Sequence, residues 1–187
     1  PIRFAKAFPS SVIYSFEPIP GTFKILNKET ASYPNIKLIN KALGNEAKIL
    51  DIHLASRITS SSLLDIEKNI ENEFWAENLK EEGAIPVSMS RLDLEIPSDK
   101  NVSICKLDVQ GYELEVLKGA VETLKRTAIV LIEMQNHELY VNAPKYFVLD
   151  EFLRKNNFEL YDMIPSIRQK NKIYEWDAIF VNKNNIR

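Results

Sequence analysis

The run Ile104-Cys105-Lys106-Leu107-Asp108-Val109-Gln110-Gly111-Tyr112-Glu113 constrains this chain more than any other stretch. It reads as an apolar strand that ends on an acid, turns at a glycine and enters a helix. Open α/β sheets bind their ligands outside the carboxyl ends of such strands. A second strand, Val12-Ile13-Tyr14-Ser15-Phe16, also ends on an acid, Glu17, followed at once by Pro18. Two strand-end acids in one chain predict a nucleotide-type cofactor with chemistry beside it.

The rest of the chain alternates in the same way. Thr22 to Thr30 has a helical apolar face, and Ile36 to Ile39 is the next strand, running on through Asn40-Lys41-Ala42-Leu43 to a turn at Gly44-Asn45. Lys48 to Leu54 alternates as a half-exposed strand does. Arg57 to Glu82 differs in composition and reads as a loop plus an irregular helix covering one edge of the site. Val87 to Ile96 alternates as a further strand, closed by Pro97, and Ile104 to Val109 has the near-continuous apolar character of a central parallel strand. Tyr112 to Arg126 is predicted as one helix, Ala128 to Ile132 as a buried strand, and Asp150 to Asn156 as part of a helix. Phe158 to Ile164 and Trp176 to Asn182 are the last strands, an antiparallel pair because no crossover helix fits between them. The pattern predicts a doubly wound α/β fold in a single domain over residues 1–187.

Composition narrows the function. With 24 Lys and Arg against 26 Asp and Glu there is no basic excess, so a nucleic-acid partner is not expected. The lone Cys105 cannot form an internal disulfide, and its apolar strand marks it as a small buried side chain. No apolar run reaches the roughly 20 residues that span a bilayer, and no signal peptide is evident. A cytoplasmic protein without integral membrane association is the expectation; oligomeric state is left open.

Ser15-Phe16-Glu17-Pro18, Asn40-Lys41-Ala42-Leu43-Gly44, Lys106-Leu107-Asp108-Val109-Gln110-Gly111-Tyr112-Glu113 with Leu117-Lys118-Gly119-Ala120, and Ile132-Glu133 together resemble the FkbM-type methyltransferases. The resemblance runs from about Phe4 to Asn182. It implies a Rossmann-like class I methyltransferase sheet, mostly parallel with an antiparallel last pair. It also implies S-adenosylmethionine as cofactor and an acceptor hydroxyl on a sugar, glycan, lipid or polyketide. The family begins with a strand and a glycine-rich loop for the methionine part of the cofactor. This sequence opens at Pro1-Ile2-Arg3-Phe4, so that segment is expected to be missing from it.

Candidate roles follow from residue type and position. Glu17 and the adjoining Pro18 are candidates for the cofactor, the carboxylate accepting hydrogen bonds from ribose hydroxyls; a solvated turn carboxylate next to Pro18 is the plainer alternative. Ala42 and Leu43 follow the third strand, where the resemblance puts the adenine wall, and Asn40 or Lys41 could add a polar contact. Asp108 ends a buried strand and needs partners there. The resemblance sets it near the transferable methyl, to hold the acceptor hydroxyl or take its proton; capping the next helix is the alternative. Gly111 permits the tight turn.

Glu113, Glu133 and His137 form a looser set. A His–carboxylate pair from Glu133 and His137 would serve as base, or the same set could hold a divalent cation, although no tight ligand spacing demands a metal. A solvent-facing loop histidine is the plain reading of His137, and a structural role that of His53. Ser60, Ser61 and Ser62 could hydrogen-bond an acceptor or the cofactor, with a flexible polar loop as the plainer reading. Phe74, Trp75, Tyr140, Tyr146 and Phe147 could stack on a sugar face, though packing explains most aromatics. Two rivals stay open: a nicotinamide-dependent oxidoreductase, for which the Gly-x-Gly-x-x-Gly turn is not found, and a catalytically inactive module of the same fold.

Overall fold

The computed structural model describes residues 1–68, 70, 75, 79–169 and 171–184. After a short helix α1 (Ile2–Ala7), strand β1 (Ile13–Phe16) leads through helix α2 (Pro20–Thr30) into β2 (Ile36–Ile39), and β1 and β2 pair in parallel. Pro20 opens α2 at a position where a missing N–H costs nothing, because the first turn's amides have no intrahelical partners. Strands β3 (Ala42–Leu43), β4 (Lys48–Ala55) and β5 (Glu81–Ser90) form a second sheet in the order β3-β5-β4.

A helical turn α3 (Leu92–Glu95) precedes β6 (Val102–Leu107), followed by α4 (Glu113–Lys118), α5 (Val121–Lys125) and β7 (Thr127–Gln135). Helix α6 (Tyr146–Lys155) and the hairpin β8 (Phe158–Gln169) and β9 (Lys172–Asn182) complete the chain, with sheet order β6-β7-β9-β8. The α/β fold predicted from the sequence is present, and β8 and β9 are the antiparallel last pair. The strands are distributed over three sheets. Antiparallel pairing also joins β4 to β5 and β7 to β9, while β1–β2, β3–β5 and β6–β7 are parallel.

Three local expectations are corrected. Asn40 and Lys41 are not strand: the chain leaves the first sheet after Ile39 and joins the second at Ala42, which pairs with Met89. The strand expected over Val87 to Ile96 begins at Glu81 and stops at Ser90, and Leu92–Glu95 is helical. There Asp93 accepts hydrogen bonds from the backbone of Glu122 and Thr123, anchoring the turn against α5. The single helix over Tyr112 to Arg126 is two helices meeting at Gly119-Ala120. A Cβ at Gly119 would lie 1.9 Å from the Gly44 carbonyl oxygen, so the backbone of the junction packs directly on the loop after β3.

The main core lies between β6, β7 and β9 and helices α4, α5 and α6. Val116, Leu117, Leu124, Val130, Ile132, Leu153, Ala178 and Phe180 are fully enclosed there. Each such Leu, Ile or Phe contributes about 1.5–3 kcal/mol of hydrophobic transfer. Cys105 packs against this cluster from β6, and burial pushes its thiol pKa up to about 12, away from reactivity. A second cluster gathers Ala55, Ile66, Trp75, Leu79, Leu139 and Tyr140 around the segment after β4. Among the described residues no helix is long and apolar enough to cross a membrane.

Candidate active site

The carboxyl ends of β1, β3 and β6 open on one cleft of about 170 Å³. It is lined by Glu17, Pro18, Lys41, Ala42, Leu43 and Asp108, with Ser61 and Ser62 from the strap that follows β4. β1, β3 and β6 belong to three different sheets, so the tertiary arrangement, not pairing among these strands, brings their ends to one rim.

Glu17 is half-buried beyond the end of β1. Its Oε1 accepts the Ile19 N–H at 2.8 Å at the entrance to α2, and no cation faces it among the described residues. Burial raises its pKa, and the hydrogen bond from Ile19 only partly offsets this. Asn40, expected at the cofactor, does not line the cleft. Its side-chain amide donates instead to the carbonyls of Glu17 (2.8 Å) and Pro18 (3.0 Å), bracing the turn that carries the acid. Lys41 lines the cleft, with its ammonium 2.7 Å from Glu95.

Asp108 sits half-exposed past the end of β6. It accepts from the Lys106 ammonium at 2.7 Å and from Gln110 Nε2 at 2.9 Å. Asp108 does not cap the following helix, which has no side-chain cap; the turn before that helix is held by Glu113. That buried carboxyl accepts from the backbone N–H of Val109 (3.1 Å) and Gly111 (3.3 Å) and closes the turn from inside. Desolvation raises the Glu113 pKa to about 7, against the pull of these backbone hydrogen bonds. Glu133, on β7, does not line the cleft but is tied to it through Gln110, whose Nε2 donates to its Oε2 at 3.1 Å. Burial first, and then the charges of Asp108, Glu175 and Glu113, raise its pKa strongly; Lys106 opposes them.

His137 is not a solvent-facing loop residue. Its Nε2 lies 3.0 Å from Glu175 Oε1, both side chains are nine-tenths buried, and the ring packs against Trp75 and Tyr174. Among the described residues it hydrogen-bonds to neither Glu133 nor Asp108, so the expected Glu133–His137 pair is not formed. His53 bridges Glu81 (2.8 Å) and Asp65 (3.2 Å), tying β4 to β5 and to the strap. Trp75 and Tyr140 are core residues, Tyr146 and Phe147 are exposed at the start of α6, and Phe74 lies outside the described residues.

Sequence reasoning gave Gln110 no role, yet it lies at the centre of the site. Its backbone takes a left-handed conformation (φ 55°), followed by Gly111 at φ 93°. Its carbonyl accepts from the Ser62 hydroxyl at 2.6 Å, and its Oε1 lies 2.8 Å from the Tyr140 hydroxyl. The available signal was its place beside Asp108 in a tight turn, which fixes nearness but not direction.

Fold and cleft define an α/β protein with a cleft lined by acids at strand ends. The chain belongs to the methyltransferase FkbM domain family, whose model matches residues 1–160. It is 29% identical over 126 residues to "Methyltransferase 1" of Beauveria bassiana, covering 61% of this chain and 51% of that protein. To the "2-O-methyltransferase NoeI" of Sinorhizobium fredii it is 25% identical over 173 residues, covering 87% of this chain and 69% of that protein. The chain thus spans about half to two thirds of these relatives. The crystal structure of the FkbM methyltransferase from Methylobacillus flagellatus shares the fold, with a TM-score of 0.56 at 11% identity. That match covers 96% of this chain and 40% of the other. Membership of this family supports the methyltransferase reading over a nicotinamide-dependent oxidoreductase.

Proposed function

We propose that this chain binds S-adenosylmethionine and methylates a hydroxyl of a sugar, glycan, lipid or polyketide-type acceptor. The observation that carries the reading is convergence: strand-end carboxylates from distant parts of the chain, Glu17 and Asp108, line one cleft with Pro18, Lys41 and Ala42. Membership of the FkbM family and the printed name of the Sinorhizobium relative support it.

The residues fit the cofactor. Glu17 is a half-buried carboxylate without a cation, and its second oxygen has no hydrogen bond among the described residues. Two ribose hydroxyls would supply the donors that burial has withdrawn. Ala42 and Leu43 offer an apolar wall to adenine. Bound S-adenosylmethionine would supply an activated methyl group. The chain's part is then to align an acceptor hydroxyl and receive its proton, and alignment accounts for much of the rate of such reactions.

Asp108 would hold the hydroxyl at the cleft. Glu133, joined to Asp108 through Gln110, is a second candidate proton acceptor, its basicity raised by burial and by the charges of Asp108, Glu175 and Glu113. His137 acts behind Glu133, setting the orientation of Glu175.

Calorimetric titration of S-adenosylhomocysteine into the protein and its Glu17→Ala variant tests the reading. We expect binding by the wild type and at least about tenfold weaker binding by the variant. A folded wild-type protein that does not bind S-adenosylhomocysteine overturns it.

A further inference from the structure

We infer that Gln110 is a positioning residue: its side-chain amide bridges Asp108 and Glu133 and holds the two carboxyl groups as one array, with the Tyr140 hydroxyl against its Oε1 on the far side. The inference rests on the functional reading above for its purpose, and on geometry alone for the bridge.

Every polar atom of this side chain is engaged. The two N–H groups of Nε2 point one each to Asp108 Oδ1 (2.9 Å) and Glu133 Oε2 (3.1 Å). On the other side, Oε1 lies 2.8 Å from the Tyr140 hydroxyl, which is also 2.9 Å from the Ser60 carbonyl. Tyr140 is 1% exposed, and burial among Glu133, Glu113, Glu175 and Asp108 raises its pKa, so it keeps its one proton, which Gln110 Oε1 and the Ser60 carbonyl share as alternative acceptors. An inverted amide would aim its oxygen at two carboxylates. The orientation is therefore dictated by chemistry.

The backbone supports the same purpose. A non-glycine residue in the left-handed region is strained and persists only where its surroundings hold it. Here the Ser62 hydroxyl on the Gln110 carbonyl, with Glu113 on the amides of Val109 and Gly111, holds it there. Asparagine tolerates this conformation better than glutamine but is one methylene too short to reach both carboxylates.

The groups facing Glu133 are Asp108, Glu113 and Glu175, which raise it, Lys106, which lowers it, and Asp177 opposite it on β9; His137 neutralises part of Glu175 when protonated. A hydrogen bond donated to the charged form favours that form. Losing the Gln110 bridge must therefore raise the Glu133 titration further.

The test is a pH titration of side-chain carboxyl carbon shifts in protein labelled with 13C-glutamate, for wild type, Gln110→Asn and Tyr140→Phe. The Glu133 midpoint should rise by about one pH unit in Gln110→Asn and in the same direction, by less, in Tyr140→Phe. Glu17, outside the array, should not move. An unchanged Glu133 midpoint in folded Gln110→Asn overturns the inference. Should that variant fail to fold, an unchanged midpoint in Tyr140→Phe does so. S-adenosylhomocysteine binding, measured on the same samples, separates this outcome from failure of the functional reading.

Discussion

Asn40, one residue past β2, donates its side-chain amide to the carbonyls of Glu17 and Pro18, so the end of one parallel strand positions the acid at the end of its neighbour. The residue acts on the cleft without lining it.

Asn40→Ala removes both donors from two surface carbonyls that water can then reach. We expect a stability loss of about 1 kcal/mol and, because Glu17 loses its brace, S-adenosylhomocysteine binding weaker by roughly fivefold. Denaturant unfolding and calorimetry on one preparation check both. Unaltered affinity would mean that the Pro18 turn holds Glu17 unaided.

Asp108→Asn should separate stability from activity. The Lys106–Asp108 pair is partly exposed, at 36% and 43%, so its loss costs no more than about 1 kcal/mol. Methyl transfer to any hydroxyl acceptor found by screening should fall by about 10²-fold or more. A variant with wild-type turnover would remove Asp108 from the chemistry.

Glu113 makes stability depend on pH. Its carboxyl is ordinarily half-titrated at 4.5 and in the folded protein at about 7, so between these values the native state binds more protons than the unfolded chain. Stability from this group is complete below pH 4.5 and is lost as pH rises through 7, by a few kcal/mol at most. Glu113→Gln keeps an acceptor for the Val109 and Gly111 amides and abolishes the titration. Unfolding free energies from pH 5 to 8 should fall more steeply for the wild type than for Glu113→Gln. Parallel profiles would count against a buried, titrating Glu113.

Gly119→Ala places a methyl 1.9 Å from the Gly44 carbonyl oxygen, a backbone atom that cannot step aside as a flexible side chain would. The expected cost is about 2–3 kcal/mol, and Tm should fall by roughly 5–10 °C. A thermal melt decides; an unchanged Tm would show that the α4–α5 junction moves freely against β3.

What the sequence by itself determined is local. Alternation and apolar runs located β1, α2, β2, β6 and β7, because hydrophobic periodicity records which faces each segment buries. Acids at strand ends located Glu17 and Asp108, since a strand's end in an open α/β sheet is also its functional edge. Tertiary structure decided the rest. The break at Gly119 depends on Gly44, the direction of the Gln110 amide on Glu133, the placing of Glu17 on Asn40, and the burial of His137 on Glu175 and Trp75. Each of these is a contact between residues far apart in the chain. Local propensity carries no term for such contacts, and they exist only once packing has set hydrogen-bonding groups from distant segments against one another.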